Sequence, residues 1–189
     1  MTKLGLVVIS IGALAACGSK KKAGGDAKPI DVAAVNALVP ASLKDKVVFE
    51  QRDIVEKRGR TGTKYTLAAP KGWKQNMESF ASLKPDTDLG FMTKFDVGTN
   101  CDGECTSKDW AATVEKVYGS YLKGATKDVK GTNSRTIVGT SGGMTLVVRA
   151  WWAEGDKEYF HCGATLEKEV AELAAAVEKA CESVTVSED

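Results

Sequence analysis

The hydrophobic positions of this chain change period several times, and each change marks an element. Met144 to Trp152 alternates strictly, with Met144, Leu146, Val148, Ala150 and Trp152 on one side and Thr145, Val147, Arg149 and Trp151 on the other. Strict alternation is the mark of a strand, whose side chains point to opposite faces in turn. Ser134 to Gly139 precedes it through the turn Thr140-Ser141-Gly142-Gly143, and Glu158 to Thr165 follows through Glu154-Gly155-Asp156. Three strands joined by tight turns predict an antiparallel meander. Nearer the start, Val47 to Glu56 and Tyr65 to Ala68 read as strands, with Lys57 to Lys64 as a charged turn between them. Leu89 to Val97 reads as another, placing Phe91, Thr93 and Phe95 on one face.

Three stretches keep the helical period instead. Ile30, Val32, Val35, Leu38 and Val39 share a face, with Asp31 as the N-cap residue and Pro40 as the stop. Trp110, Val114, Val117, Tyr118, Tyr121 and Leu122 share another, opened by a capping-box pattern at Thr106 and Asp109 and closed at Gly124. A last helix over 166–182 groups Val170, Leu173, Ala174, Val177 and Cys181, and Val184 to Val186 then forms a short tail strand. Val147 and Trp151 carry bulk opposite Leu146 and Val148, which requires a sheet covered on both faces. The expected fold class is therefore α+β, a mainly antiparallel sheet between helical layers.

The first residues follow neither period. Lys3 is followed by 13 residues, Leu4 to Ala16, with nothing more polar than Ser10. As a helix they would reach about 20 Å at about 1.5 Å per residue, short of the roughly 30 Å of a bilayer core. They read as the apolar region of an export signal. The run ends in Leu14-Ala15-Ala16-Cys17, which resembles the lipobox of bacterial lipoproteins at all four positions. The resemblance implies that residues 1–16 are removed and that Cys17 takes a diacylglycerol and then an amino-terminal acyl chain. It implies an outer-membrane address on the periplasmic side in a Gram-negative host, because Gly18 and not Asp follows the cysteine. Two or three chains would anchor the protein durably, since each buried methylene contributes about 0.8 kcal/mol. Residues 17–29 read as lipidated cysteine and tether; the segment 18–28 has no large apolar side chain. Lys20, Lys21 and Lys22 would lie beside lipid phosphates. Residues 30–189 read as one globular domain.

Composition narrows the chemistry. The side chains sum to +1, and to zero once Lys3 is removed with the signal, which argues against a nucleic-acid partner. Beyond Cys17 there are four cysteines, Cys101, Cys105, Cys162 and Cys181. An even number in an exported chain predicts two disulfides and allows three connectivities. Cys162 shares a strand face with Phe160 and Ala164, and Cys181 lies on the apolar face of the helix that packs back over that strand. A bridge between them would pin helix to sheet. Cys101 and Cys105 would then close a small loop. The competing readings of that loop are a thiol-redox pair near a helix start and a calcium site using Asn100, Asp102 and Glu104, for which Gly103 is misplaced.

His161 is the chain's one histidine, and a catalytic relay would have to use it. A lone histidine within a strand reads more simply as a structural or surface residue, and a zinc site with Cys162 would need reduced thiols. Trp73, Trp110, Trp151 and Trp152 read as packing residues, with the adjacent pair pointing to opposite faces.

One further resemblance rests on the strand Tyr65-Thr66-Leu67-Ala68-Ala69 followed by Pro70-Lys71-Gly72-Trp73. It is similar to the signature of PsbP-like α/β/α domains, which implies docking or accessory work and no enzyme activity. No catalytic residue, metal or cofactor is expected. The expected function is that of a membrane-anchored binding or accessory domain, with lipid and an envelope protein as partners. The alternatives are a thiol-redox or metal-dependent activity at Cys101–Cys105, or a purely structural envelope role.

Overall fold

The meander forms where the alternation places it, and a second sheet forms beside it. The computed structural model describes residues 22–23, 28–58, 61–77, 80–100, 108–153 and 158–188. In chain order the elements are β1 (Lys22–Ala23), α1 (Val32–Ala37), β2 (Phe49–Arg58), β3 (Thr61–Pro70), β4 (Lys74–Met77), β5 (Phe80–Lys84) and β6 (Lys94–Asn100). Then come α2 (Trp110–Val117), α3 (Gly119–Leu122), β7 (Ala125–Lys130), β8 (Ser134–Ser141), β9 (Met144–Trp151), β10 (Tyr159–Leu166), α4 (Ala174–Cys181) and β11 (Thr185–Glu188). A six-residue 3₁₀ segment, Lys168–Leu173, leads into α4.

One sheet has the order β1-β11-β3-β2 and the other β4-β5-β6-β10-β9-β8-β7. Every pair is antiparallel. The larger sheet is bulky on both faces, and its two faces belong to two cores. Val147, Trp151, Phe160, Cys162, Phe95 and Val97 face the smaller sheet, α1 and α4, meeting Phe49, Ile54, Tyr65, Leu67, Val170 and Val177. Leu146, Val148, Ala150, Trp152 and Tyr159 face the other way, against Trp110 and Val114 of α2.

This corrects the expected helix-covered α/β/α sandwich. Among the described residues there are two antiparallel sheets, and the longest α-helices run eight residues. The cause lies in residues 57–64. They were expected as a turn, but β2 runs on to Arg58 and β3 already begins at Thr61, each a ten-residue strand. The long hairpin, extended by β11, supplies the layer that a helix was expected to fill.

Two devices tie the layers together. The Asn36 side chain donates to the Phe49 carbonyl at 2.9 Å and accepts from the Phe49 amide at 2.7 Å, fixing α1 to the start of β2. Gln75 of β4 donates to the Val55 carbonyl of β2 at 2.8 Å, joining one sheet to the other.

The expected helices shorten. The first keeps the Asp31 cap, which accepts from the Ala34 amide at 2.9 Å. The second breaks at Tyr118 (φ −104°, ψ 15°) into α2 and α3, and Thr106 of its expected capping box lies outside the described residues. The strand expected over 89–97 starts only at Lys94, because Gly90 adopts φ +97° and turns the chain, leaving Phe91 77% exposed. That backbone conformation is one that residues with a Cβ rarely adopt, so a substitution at Gly90 would be strained.

Candidate functional site

A groove of about 800 Å³ runs over the α2-side face of the larger sheet. Its floor follows from the alternation of three strands: Asp96 and Gly98 of β6, His161, Gly163 and Thr165 of β10, and Leu146 and Val148 of β9. Ser82 and Lys84 of β5 and Lys94 of β6 line it further along, and Tyr118 closes the side under α2. Met77 and Met92, each 57% exposed, stand at its rim.

Two glycines shape the floor. A Cβ on Gly163 would meet the Val147 carbonyl at 2.0 Å, so β9 and β10 cross closely only because position 163 has none. A Cβ on Gly98 would stand 3.4 Å from His161 Cε1 and 3.6 Å from Glu56 Oε2. The histidine and the carboxylate thus flank one point above the sheet, although they come from different sheets. β5 pairs with β6 through Ser82–Asp96 and Leu83–Phe95, short of Gly98. Glu56 reaches the groove at that level.

Glu56 is 5% exposed and accepts from the Tyr65 hydroxyl at 3.0 Å, within the inner core. Burial of a carboxylate at such a place requires donors, and Tyr65 supplies one. Lys94 pairs with Asp96 at 2.9 Å on the groove floor. Lys84 lies 5.3 Å from the centroid of the exposed Phe91 ring, a cation–π contact at the far rim. Burial pushes the Tyr118 phenol well above its ordinary range, and Tyr159 and Asp96 push the same way. Burial also pushes Tyr159 up to about 12, with the neighbouring Tyr118 and Asn100 pulling the other way. Both phenols therefore stay protonated near neutral pH. The groove offers cations, carboxylates, hydroxyls and methionine side chains to one ligand, a lining suited to an amphipathic molecule.

The expected site residues fall as follows. Cys162 and Cys181 are joined, with Cα atoms 5.5 Å apart, and the bridge links β10 to the end of α4. Cys17, Cys101 and Cys105 lie outside the described residues, as do Asp102 and Glu104, while Asn100 lines the groove. His161 stands on the strand face shared with Tyr159 and Gly163, now the floor of the groove. The four tryptophans are buried, Trp151 in the inner core and Trp152 in the outer one. Among the described residues no group of three or more histidine, cysteine or acidic side chains could hold a metal ion. Nor is any described helix long and apolar enough to cross a membrane.

Sequence reasoning missed Glu56, Lys84 and Lys94 as groove residues. Glu56 breaks the apolar inner face of β2 two residues after Ile54, and that was the one available signal. Comparison with family models, curated proteins and solved structures finds no match to this chain.

Proposed function

We propose that this chain is a lipid-anchored cell-envelope domain that binds an amphipathic ligand in the groove over its seven-stranded sheet, without chemistry of its own. The observation that carries this reading is the groove itself. It juxtaposes the cations Lys84 and Lys94, the buried Glu56 beside His161, and the exposed Met77 and Met92 within one open depression. Monomeric domains seldom leave large apolar side chains grouped beside a polar cleft unless something docks there.

The anchor at Cys17 rests on the Leu14-Ala15-Ala16-Cys17 run. The Cys162–Cys181 bridge supports an oxidising address, because disulfides persist chiefly outside the reducing cytosol. A residence on the periplasmic side of an outer membrane follows if the host is Gram-negative.

Site-specific photocrosslinking tests the binding role. A photoreactive residue at Ser82 or Thr165 in intact envelopes is expected to give one adduct of discrete mass. The same residue at Lys127, on the edge strand β7, is expected to give none. Equal labelling from all three positions would rule the groove out as a binding site.

A further inference from the structure

The two glycines of the groove floor lack a side chain for different reasons. At Gly163 the Val147 carbonyl oxygen would stand 2.0 Å from a Cβ, so the backbone itself forbids one. At Gly98 nothing forbids it. The residue lies inside β6, opposite His161 of β10, and its φ is not positive. A Cβ there would meet His161 Cε1 at 3.4 Å, Glu56 Oε2 at 3.6 Å and Glu56 Oε1 at 3.9 Å, all ordinary contact distances. Glycine weakens a strand interior and often marks a point where a ligand approaches the backbone closely. The bare Gly98 leaves a notch the size of a methyl group, open to the groove and walled by a carboxylate and the edge of an imidazole.

The walls select what enters. Glu56 is 5% exposed, and both its oxygens border the notch. A carboxylate has about four acceptor sites, of which the Tyr65 hydroxyl takes one. Charged donors make the stronger hydrogen bonds to such a group. The lysines of the groove stand at its other end. Lys94 is four residues along β6 from Gly98, about 14 Å away, and pairs there with Asp96; Lys84 lies against Phe91. Between the two ends the floor is apolar on β9, with Val148 level with Gly163 and Asp96, and Leu146 level with Thr165 and Lys94.

We infer that the notch over Gly98 is a subsite for a primary ammonium group, with Glu56 as its counter-ion and the apolar chain that carries the ammonium lying along Val148 and Leu146. The inference rests on the groove reading above and names the polar head of its ligand. A quaternary ammonium is too broad for a gap that one methyl fills, and an anionic head would meet Glu56 as a like charge.

Hexylamine tests the subsite. His161 is the chain's one histidine, so isotope labelling of histidine Cε1 gives a single NMR resonance, from a carbon on the wall of the notch. In the full-length chain with phosphatidylcholine nanodiscs at about pH 7, where the amine is charged, hexylamine is expected to shift this resonance saturably. Its affinity should exceed that of hexanol, hexanoate and hexyltrimethylammonium by about ten-fold or more. Gly98→Ala, which fills the notch, should melt at or above the wild-type temperature and bind hexylamine about ten-fold or more weakly. Glu56→Gln keeps an acceptor for Tyr65, removes the charge, and should weaken hexylamine as much. Equal affinity for hexylamine and hexanol would overturn the subsite, as would undiminished hexylamine binding in either variant. Photocrosslinking separates this result from the groove itself. Adducts from Ser82 and Thr165 that persist unchanged in Gly98→Ala would overturn the subsite and leave the groove standing. Equal labelling from Ser82, Thr165 and Lys127 would overturn the groove, and the subsite with it.

Discussion

Arg135 shows how one side chain fixes the outer layer. Its side chain is 6% exposed, and its guanidinium donates to both Asp128 oxygens at 2.8 and 2.9 Å and to Glu115 at 2.9 Å. A planar fork meets one carboxylate on β7 and another on α2, which ties the helix to the sheet edge. The hydrogen bond from Arg135 holds both carboxyls below their ordinary range; Lys130 adds to the effect on Glu115, and burial opposes it slightly on Asp128. Lowered folded-state values mean that this stabilisation is present above about pH 4 and is lost as the pH falls through them. Arg135→Met should cost roughly 1–3 kcal/mol at pH 7. Urea titrations of wild type and variant should converge below about pH 4; a difference that persisted undiminished into acid would show that packing, not charge, is what Arg135 contributes. Gly163 is the other residue on which local geometry turns. Gly163→Ala puts a methyl 2.0 Å from the Val147 carbonyl and should cost more than about 3 kcal/mol. A variant with wild-type melting would mean that β9 can shift to admit it.

Among the elements, the bridge from β10 to α4 is the clearest case of a helix held down covalently. It spans 19 residues of sequence, for which loop-closure entropy gives about 3 kcal/mol. Reduction, or Cys162→Ala together with Cys181→Ala, should therefore lower the unfolding free energy by about 3 kcal/mol while the meander persists. This pairing was legible in the sequence because a strand with period two and a helix with period 3.6 each placed one cysteine on an apolar face. The meander β8–β9–β10 was legible for the same reason. The strand β6 was legible only in part. Its alternation extends back through Phe91, but the left-handed backbone at Gly90 turns that residue out to solvent, and a glycine's φ is not written in the period. The hairpin β4–β5 was missed because Lys74–Met77 is exposed or half-buried throughout and offers no apolar face to read. The break between α2 and α3 escaped notice because it lies in the backbone of Tyr118 (φ −104°, ψ 15°), within an unbroken helical period of apolar residues.

At the scale of the molecule, the groove was not legible because its wall comes from both sheets. Glu56 and His161 are 105 positions apart in sequence, and only the closing of β2–β3 over β6 and β10 brings them together. The lipobox-like run Leu14-Ala15-Ala16-Cys17 is a pattern of the other kind, an expectation drawn from neighbours in sequence alone. In the function proposed above, fatty chains on Cys17 would hold the domain at a leaflet and leave the groove to take the ligand. Glu182 braces the emerging chain. Burial raises its carboxyl, but Lys28 at 2.8 Å and Lys179 at 3.0 Å more than offset this and hold it below the ordinary range. Below about pH 4 the brace from Lys28 should weaken, and hydrogen exchange at the Lys28 amide, which donates to the Glu182 carbonyl at 3.0 Å, should quicken. An unchanged rate would show that the backbone bond alone holds the segment.

The intact mass of the protein purified from its own envelope tests the whole account most directly. The account predicts a chain that begins at Cys17, with a diacylglycerol on its sulfur and an acyl group on its new amino end. A chain that begins at Met1 with an unmodified thiol at position 17 would contradict it.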